Sequence, residues 1–383
     1  MRLLWLAPIP YSGDKEVHPA PWISTLARKL VDEKGCKITM LNYHPRLVKD
    51  EETIVKDGIE YVFLRTPVPK IDYLTIYSRR IRILRKYIKS RIDDFDLIHV
   101  HGSEHQYESS ISNIPLPSLV SMQGIMTEYV KKLPNMFTYT FLSWFLASKF
   151  EKRNVRNIKN FICRTIFDTG FVKEYNPQAN LFENWEMIRE PFFENNFSIE
   201  KKNILFIGGS NPIKGIKEML QALDLILDKI NLKLLIVGKT DPSVIHSIIE
   251  EYQLDNIRAE NIEVLGFQDQ YGVCEAFRKS YCLVHPSYID NSPNSVCEAQ
   301  VSGLPVIASN VGGVSSLIDH DETGILVELS PLQIAFQIIR LLMHDELRDK
   351  ISEQSRIVAR ERHNANTILE KTCAIYEKVM NAA

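Results

Sequence analysis

Residues 284–313 read Val-His-Pro-Ser-Tyr-Ile-Asp-Asn-Ser-Pro-Asn-Ser-Val-Cys-Glu-Ala-Gln-Val-Ser-Gly-Leu-Pro-Val-Ile-Ala-Ser-Asn-Val-Gly-Gly. The apolar run Tyr281–Val284 has strand character, and Pro286 and Pro293 stop it from continuing. Asn294 or Ser295 is a cap for a helix predicted from about Ser295 to Ser302. Asp290 then sits in a loop and Glu298 lies one turn into the helix. Gly303-Leu304-Pro305 ends that helix and Val306–Ala308 begins the next buried strand. Gly312-Gly313 allows a close backbone approach beyond it.

A helix that starts after a loop presents free N–H groups and about half a positive charge, which suits phosphate. Glu298 is placed to accept hydrogen bonds from ribose hydroxyls and Asp290 from a sugar. The competing reading is an ordinary helix–strand unit with surface acids.

Working outward, the same alternation recurs. Leu3–Ala7, Lys37–Asn42, Ile59–Arg65, Leu97–His101 and Ser118–Met122 read as strands, with Trp22–Glu33 as an amphipathic helix. From Asn203 the pattern restarts, with strands at 203–208, 232–237, 262–265 and 281–284 and helices at 215–230, 243–253 and 271–279. Two tandem α/β domains are expected, 1–194 and 195–365, with parallel sheets facing an interdomain cleft. The boundary falls near Pro191–Lys202, and a last helix covers 366–383.

At 383 residues with 45% hydrophobic content, the chain supports two substantial cores. A net charge of −2 gives no sign of a nucleic-acid partner. The six cysteines form no Cys-x-x-Cys pair, which points to a reducing, cytoplasmic setting without a zinc site or disulfide framework. The first residues read as a strand and not a signal peptide, and no stretch reaches membrane-spanning length.

Asp290-x7-Glu298, followed by Gly303-x-Pro305-Val306 and Gly312-Gly313, resembles the acid-x7-Glu motif of glycosyltransferase family 4, retaining enzymes of the GT-B fold. Asn203–Gly208 with Pro212-Ile213-Lys214-Gly215 is similar to that family's strand and phosphate loop. Leu234–Gly238, Ile262–Phe267 and Gly324–Val327 follow in the family's order, so the match covers about residues 200–330. Asp290 departs from the usual Glu, with one methylene less reach. The resemblance implies transfer of a sugar from a nucleoside diphosphate to a hydroxyl of a glycan or lipid-linked acceptor, in surface polysaccharide or glycoconjugate synthesis, with no cofactor beyond the donor. It also implies that the last helix returns to pack on the first domain.

The resemblance assigns the donor site to Gly208, Gly209, Ser210, Lys214, Gly266, Phe267, Asp290, Asn294, Ser295, Val296 and Glu298. A leaving diphosphate gains charge, so a cation beside it lowers the barrier. Lys214 fills that role, or is a solvated lysine at a helix start. The second cation usual in the family is missing from Gly208-Gly209-Ser210-Asn211; backbone N–H groups there, the Ser210 hydroxyl or Arg164 are the substitutes. Arg164 is alternatively an ion-pair partner of Asp168.

In the first domain His101 ends a buried strand, where ligand groups gather in open α/β sheets; it is a catalytic candidate or a structural histidine. Gln123 stands where relatives carry histidine, and with Tyr11, in the loop Pro8–Gly13, and Arg164 it makes the acceptor side. Asp94-Phe95-Asp96 and Asp319-His320-Asp321 spell a metal motif but read as turn acids, so a metal-independent mechanism is expected.

The helix within Tyr77–Arg91 has Ile81, Leu84 and Ile88 on one face and arginines elsewhere. It either rests on the inner face of an anionic membrane, through Arg79–Arg91, or packs on the core with a solvated basic face. Met136–Ala147 reads as core or acceptor wall. The alternatives to a transferase are a degenerate nucleotide-sugar-binding protein and a GT-B epimerase. No Gly-x-Gly-x-x-Gly follows a strand, which disfavours an NAD enzyme.

Overall fold

The computed structural model describes residues 1–11, 21–133, 135–194 and 203–382. Ser12 and Gly13 of the first loop, and the stretch 195–202 of the expected boundary, lie outside the described residues. The chain divides into two compact units, Met1–Met187 with Asn364–Ala383, and Ile188–His363.

The first unit carries strands β1 (Arg2–Leu6), β2 (Lys37–His44), β3 (Glu51–Lys56), β4 (Ile59–Arg65), β5 (Leu97–His101), β6 (Ser118–Ser121), β7 (Asn160–Cys163) and β8 (Asn180–Glu183). Their order in the sheet is β3-β4-β2-β1-β5-β6-β7-β8. All neighbours are parallel except β3, which pairs antiparallel with β4, so this sheet is not purely parallel as expected. The turn at Asp57-Gly58, with both residues in the left-handed region, makes that hairpin. Strands buried on both faces need near-continuous apolar sequence; Leu3, Leu4, Trp5 and Leu6 are fully buried in β1.

The last helix, Ala365–Asn381, belongs to this unit. Its Tyr376 hydroxyl lies 2.7 Å from His99 Nδ1, and Asn184 donates to Thr372 Oγ1 at 2.9 Å. The basic helix, Ser78–Ser90, buries Leu84, Tyr87 and Ile88 in the core. Arg80 is also buried, 3.3 Å from Asp72. The helix is therefore core-packed, and not every arginine on it is solvated.

The second unit holds β9 (Asn203–Ile207), β10 (Lys233–Val237), β11 (Ile262–Gly266), β12 (Cys282–His285), β13 (Val306–Ser309) and β14 (Ile325–Val327). These make one parallel sheet in the order β11-β10-β9-β12-β13-β14. The helix Ile216–Leu227 lays Ile216, Met219, Leu220, Leu223 and Ile226 against it, a helical stripe in which each buried aliphatic contributes about 2 kcal/mol. Residues 188–193 pack here and not with the first unit. Phe192 meets Phe277 at 5.7 Å between ring centroids, and the Ser302 hydroxyl and Arg360 donate to the carbonyls of Phe192 and Phe193.

Candidate active site

The second unit gathers its polar groups at the carboxyl ends of β9 and β12. Lys214 closes the short turn Pro212–Lys214, and its Nζ stands 2.5 Å from Asp290 Oδ2. His285, the last residue of β12, places Nε2 3.1 Å from the same oxygen. Asp290 is 7% exposed. Burial acts to raise its carboxyl, but the Lys214 charge and the His285 hydrogen bond outweigh burial and hold it well below the usual carboxylate range. Burial in turn lowers the His285 imidazole. A neutral ring facing a carboxylate must carry its proton on Nε2, so His285 donates. Lys214 is thus an ion-pair partner, not a solvated lysine.

Glycine makes this geometry possible. Gly215 has φ 78°, and a Cβ there would lie 1.8 Å from the Pro286 carbonyl oxygen. Gly313 N–H donates to the Asp290 carbonyl at 2.9 Å, while a Cβ on Gly312 would lie 2.0 Å from that oxygen. The close approach expected of the double glycine is made to the Asp290 loop itself.

The helix Asn294–Ser302 starts one residue before the expected position. Pro293 occupies its N-cap and no side chain caps it, so neither Asn294 nor Ser295 acts as the cap. Val296 N–H already donates to Pro293 O at 3.0 Å, whereas the N–H groups of Asn294 and Ser295 open the helix. Glu298 is buried, and its Oε1 accepts from Arg189 at 2.6 Å. Arg189 was missed in the sequence; it sits beyond the resembling stretch, and nothing local marks it. His285 was also missed, although the strand-end rule applied to His101 fits it equally.

The loop after β9 departs from expectation. Gly208 and Gly209 N–H groups both donate to Val237 O, and Ser210 N–H donates to Lys239 O. Ser210 Oγ accepts from Asp241 N–H at 3.1 Å. These amides hold the neighbouring loop and are not free substitutes for the missing arginine. Gly266 ends β11 at φ 68°, and Phe267 beside it is exposed.

In the first unit, His101, Gln123 and Arg164 lie at or just beyond the carboxyl ends of β5, β6 and β7. His101 is buried against Trp5 and His99, its Nε2 has no hydrogen-bond partner among the described residues, and burial lowers its pKa strongly. The Arg164 guanidinium pairs with Glu186 at 2.9 Å and donates to Met122 O. Only its backbone N–H reaches the Asp168 carboxylate, so the expected side-chain ion pair with Asp168 is replaced by one with Glu186. Tyr11 donates to Glu52 at 2.8 Å. An unforeseen group, Glu104, lies over the two strand-end glycines. A Cβ on Gly102 would come within 2.3 Å of its Oε2, its Oε1 accepts from Gly124 N–H, and burial pushes its carboxyl up to about 7.

Both metal-like spellings are ion-paired turns. Asp96 pairs with Arg2, Asp94 with Arg91, and Asp321 with Arg340. Among the described residues no three His, Cys, Asp or Glu side chains converge on a metal position.

Residues 187–358 match the family model described as glycosyl transferases group 1. The chain is 28% identical over 189 residues to N-acetyl-alpha-D-glucosaminyl L-malate synthase of Bacillus anthracis, covering 49% of this chain and 48% of the relative. It is 26% identical over 199 residues to the capsular polysaccharide biosynthesis glycosyltransferase CapM of Staphylococcus aureus, covering 51% of each. The chain spans about half the length of the curated relatives it matches.

Among solved structures it is similar to sucrose-phosphate synthase from Thermosynechococcus elongatus, with a TM-score of 0.81, 17% identity and all of both chains covered. It is also similar to TarM, with a TM-score of 0.73, 13% identity and 98% of each chain covered, and to HepE of Anabaena in complex with UDP, with a TM-score of 0.68, 14% identity and 99% and 100% covered. At these identities the likeness shows the fold alone, and that fold is GT-B. The match to the group 1 model thus falls within residues 187–358, almost all of them in the second unit, and the solved structures share the GT-B fold.

Proposed function

We propose that the protein is a family 4 retaining glycosyltransferase that moves a sugar from a nucleoside diphosphate to a hydroxyl of a glycan or lipid-linked acceptor. The observation that carries this reading is the Lys214–Asp290–His285 cluster at the strand ends, with Asp290 and His285 buried. Asp290 is kept ionised to accept sugar hydroxyls, and the Lys214 ammonium lies next to it for the diphosphate. Glu298, held by Arg189, takes the ribose, the opening N–H groups of Asn294 and Ser295 add donors to the phosphates, and the loop at Gly266-Phe267 takes the base. In the step, the bond from the anomeric carbon to the phosphate oxygen breaks and the diphosphate leaves with the electron pair. The acceptor oxygen bonds to the same face, and its proton passes to the departing phosphate. Lys214 stabilises charge that grows in the transition state, which accelerates the step more than it tightens binding. The reading involves no metal and places the reaction in polysaccharide or glycoconjugate synthesis.

HepE was solved in complex with UDP-glucose, which makes UDP the first nucleotide to try. A thermal-shift screen against UDP, GDP, ADP, TDP and their sugars tests the reading. A selective shift that survives chelator supports it; no shift with any nucleotide, or a shift abolished by chelator, removes it. The amides of Gly208–Ser210, engaged by Val237 and Lys239, favour a second reading, a nucleotide-sugar-binding protein without turnover. Release of free nucleoside diphosphate in the presence of acceptor separates the two.

A further inference from the structure

The first unit carries a cavity of 1120 Å³ at the amino ends of its strands, floored by Ser118, Asn160 and Asn180 at the starts of β6, β7 and β8. Every residue of its wall belongs to that unit. It lies at the opposite end of the sheet from His101, Gln123 and Arg164, so neither the donor site nor the acceptor side accounts for it.

The charge of the cavity is one-sided. Arg82, Arg153 and Lys159 line it, are exposed, and have no ion pair among the described residues. Arg85, partly buried in the same wall, donates only to the main-chain oxygens of Ser109 and Ser110. The one acid in the wall is Glu108, 2% exposed, with both carboxyl oxygens buried. Burial pushes its pKa well above the usual carboxylate range, so it offers no accessible negative charge. Four cations around one space repel one another, in a chain whose net charge is −2, and a bound anion relieves that repulsion.

The remaining wall points to the class of anion. Ser78, Ser112, Asn113, Asn157 and Asn180 line the same cavity and are exposed. Hydroxyls donate and accept, and side-chain amides do the same, which is what sugar hydroxyls require of a partner. Ile76 and Ile81 add apolar area for the C–H faces of sugar rings. The volume exceeds the roughly 300–1,000 Å³ of pockets that enclose one small ligand, so a bare phosphate fills little of it. A single-stranded nucleic acid asks for aromatic side chains on which bases stack. The one ring in the wall, Phe150, is only partly exposed and packs on Tyr77 at 5.7 Å. Leu74, Met136, Phe137 and Tyr139 are exposed but do not line the cavity, and the expectation that Met136–Ala147 is core is wrong for its first half.

We propose that this cavity is a holding site for an acidic glycan, whose carboxylate or phosphate groups meet Arg82, Arg85, Arg153 and Lys159 while its hydroxyls meet the serines and asparagines. The inference goes beyond the transfer reading and does not use the second unit, where nucleotide binding tests that reading separately.

Fluorescence anisotropy with the full chain, in the absence of nucleotide, tests it on two labelled probes, oligogalacturonate and a phosphate-bearing oligomannoside, with neutral dextran as the control. At least one acidic probe is expected to bind, and dextran is not. Arg82→Gln with Arg153→Gln should weaken that binding at least roughly tenfold by removing two charge-assisted contacts. Its circular dichroism and melt should equal those of wild type, because both side chains are exposed. Asn113 stands in the left-handed region at φ 63°, so Asn113→Gly keeps the backbone and removes only the amide, weakening binding about threefold. Binding of neither acidic probe overturns the proposal, as does equal binding of dextran or wild-type affinity in the arginine variant. Wild-type affinity in Asn113→Gly, or full displacement by inorganic phosphate at the concentration of the probe, also overturns it and leaves a site for a simple anion. Tighter binding of oligouridylate, lost in the arginine variant, overturns it in favour of RNA.

Discussion

Lys214 and Asp290, separated by most of a sheet in sequence, form an ion pair with 2.5 Å between Nζ and Oδ2, the carboxylate buried and the ammonium partly exposed. Each was chosen from the sequence for a different part of the same donor. Their contact brings the cation proposed for the diphosphate and the carboxylate proposed for the sugar to one place.

Lys214→Ala removes the charge that outweighs burial at Asp290. The Asp290 carboxyl is expected to titrate at higher pH, read by carbon NMR, and turnover to fall roughly a hundredfold. Lys214 is partly exposed, so the stability loss is about 1–2 kcal/mol, below that of a fully buried pair. The folded pKa of Asp290 is depressed, so its stabilisation is present above the unfolded value near 3.8 and is lost as pH falls below it. An unchanged Asp290 titration in the variant contradicts the pairing.

Arg189 is expected to matter through Glu298. Arg189→Ala leaves a carboxylate buried without its cation and costs about 2–3 kcal/mol in a denaturant melt. Nucleoside-diphosphate affinity should fall in Arg189→Ala and in Glu298→Ala alike. The double variant should lose less than the sum, because the two share one interaction. Strict additivity would show that Arg189 does not act through Glu298.

Gly215→Ala and Gly312→Ala each force a Cβ into a backbone oxygen, at 1.8 and 2.0 Å, from a left-handed conformation. Each should destabilise by at least about 2 kcal/mol. Since Gly215 follows Lys214 and Gly312 abuts the Asp290 carbonyl, nucleotide-induced thermal shift should shrink in both. A melt equal to wild type would refute the close approaches.

Glu104 gives a pH signature in the first unit. Its folded pKa is raised from 4.5 to about 7, chiefly by burial. Its favourable contribution is therefore full below about pH 4.5 and is lost as pH rises through 7. Glu104→Gln lacks that loss, so its melting temperature relative to wild type should climb between pH 4.5 and 7 and level off above. A flat difference across that window would show that Glu104 does not titrate there.

The strands Leu97–His101 and Ile59–Arg65 were readable to the residue, because buried parallel strands write continuous apolar runs. The hairpin strand Glu51–Lys56 was not, since it lies at a sheet edge with little burial to pattern it. Asp290 and Glu298 were picked out as candidates by the helix start and glycine turns around them, and Lys214 by the family resemblance of its loop; the structure brings Lys214 and Asp290 into contact. Arg189 and Glu104 carry no such local mark; one acts across more than a hundred positions on Glu298, and the other is recognised only by the two glycines it covers.

The sequence by itself therefore determined two wound α/β sheets and which loops bear polar groups, since periodicity and turn chemistry are local. Only the tertiary structure decided what those groups touch. It gave the Gly208–Ser210 amides to the loop after β10, Arg164 to Glu186, and Phe137 to the surface. Hydrogen-bond and charge partners come from distant segments, and burial is a property of the packed whole rather than of any stretch within it.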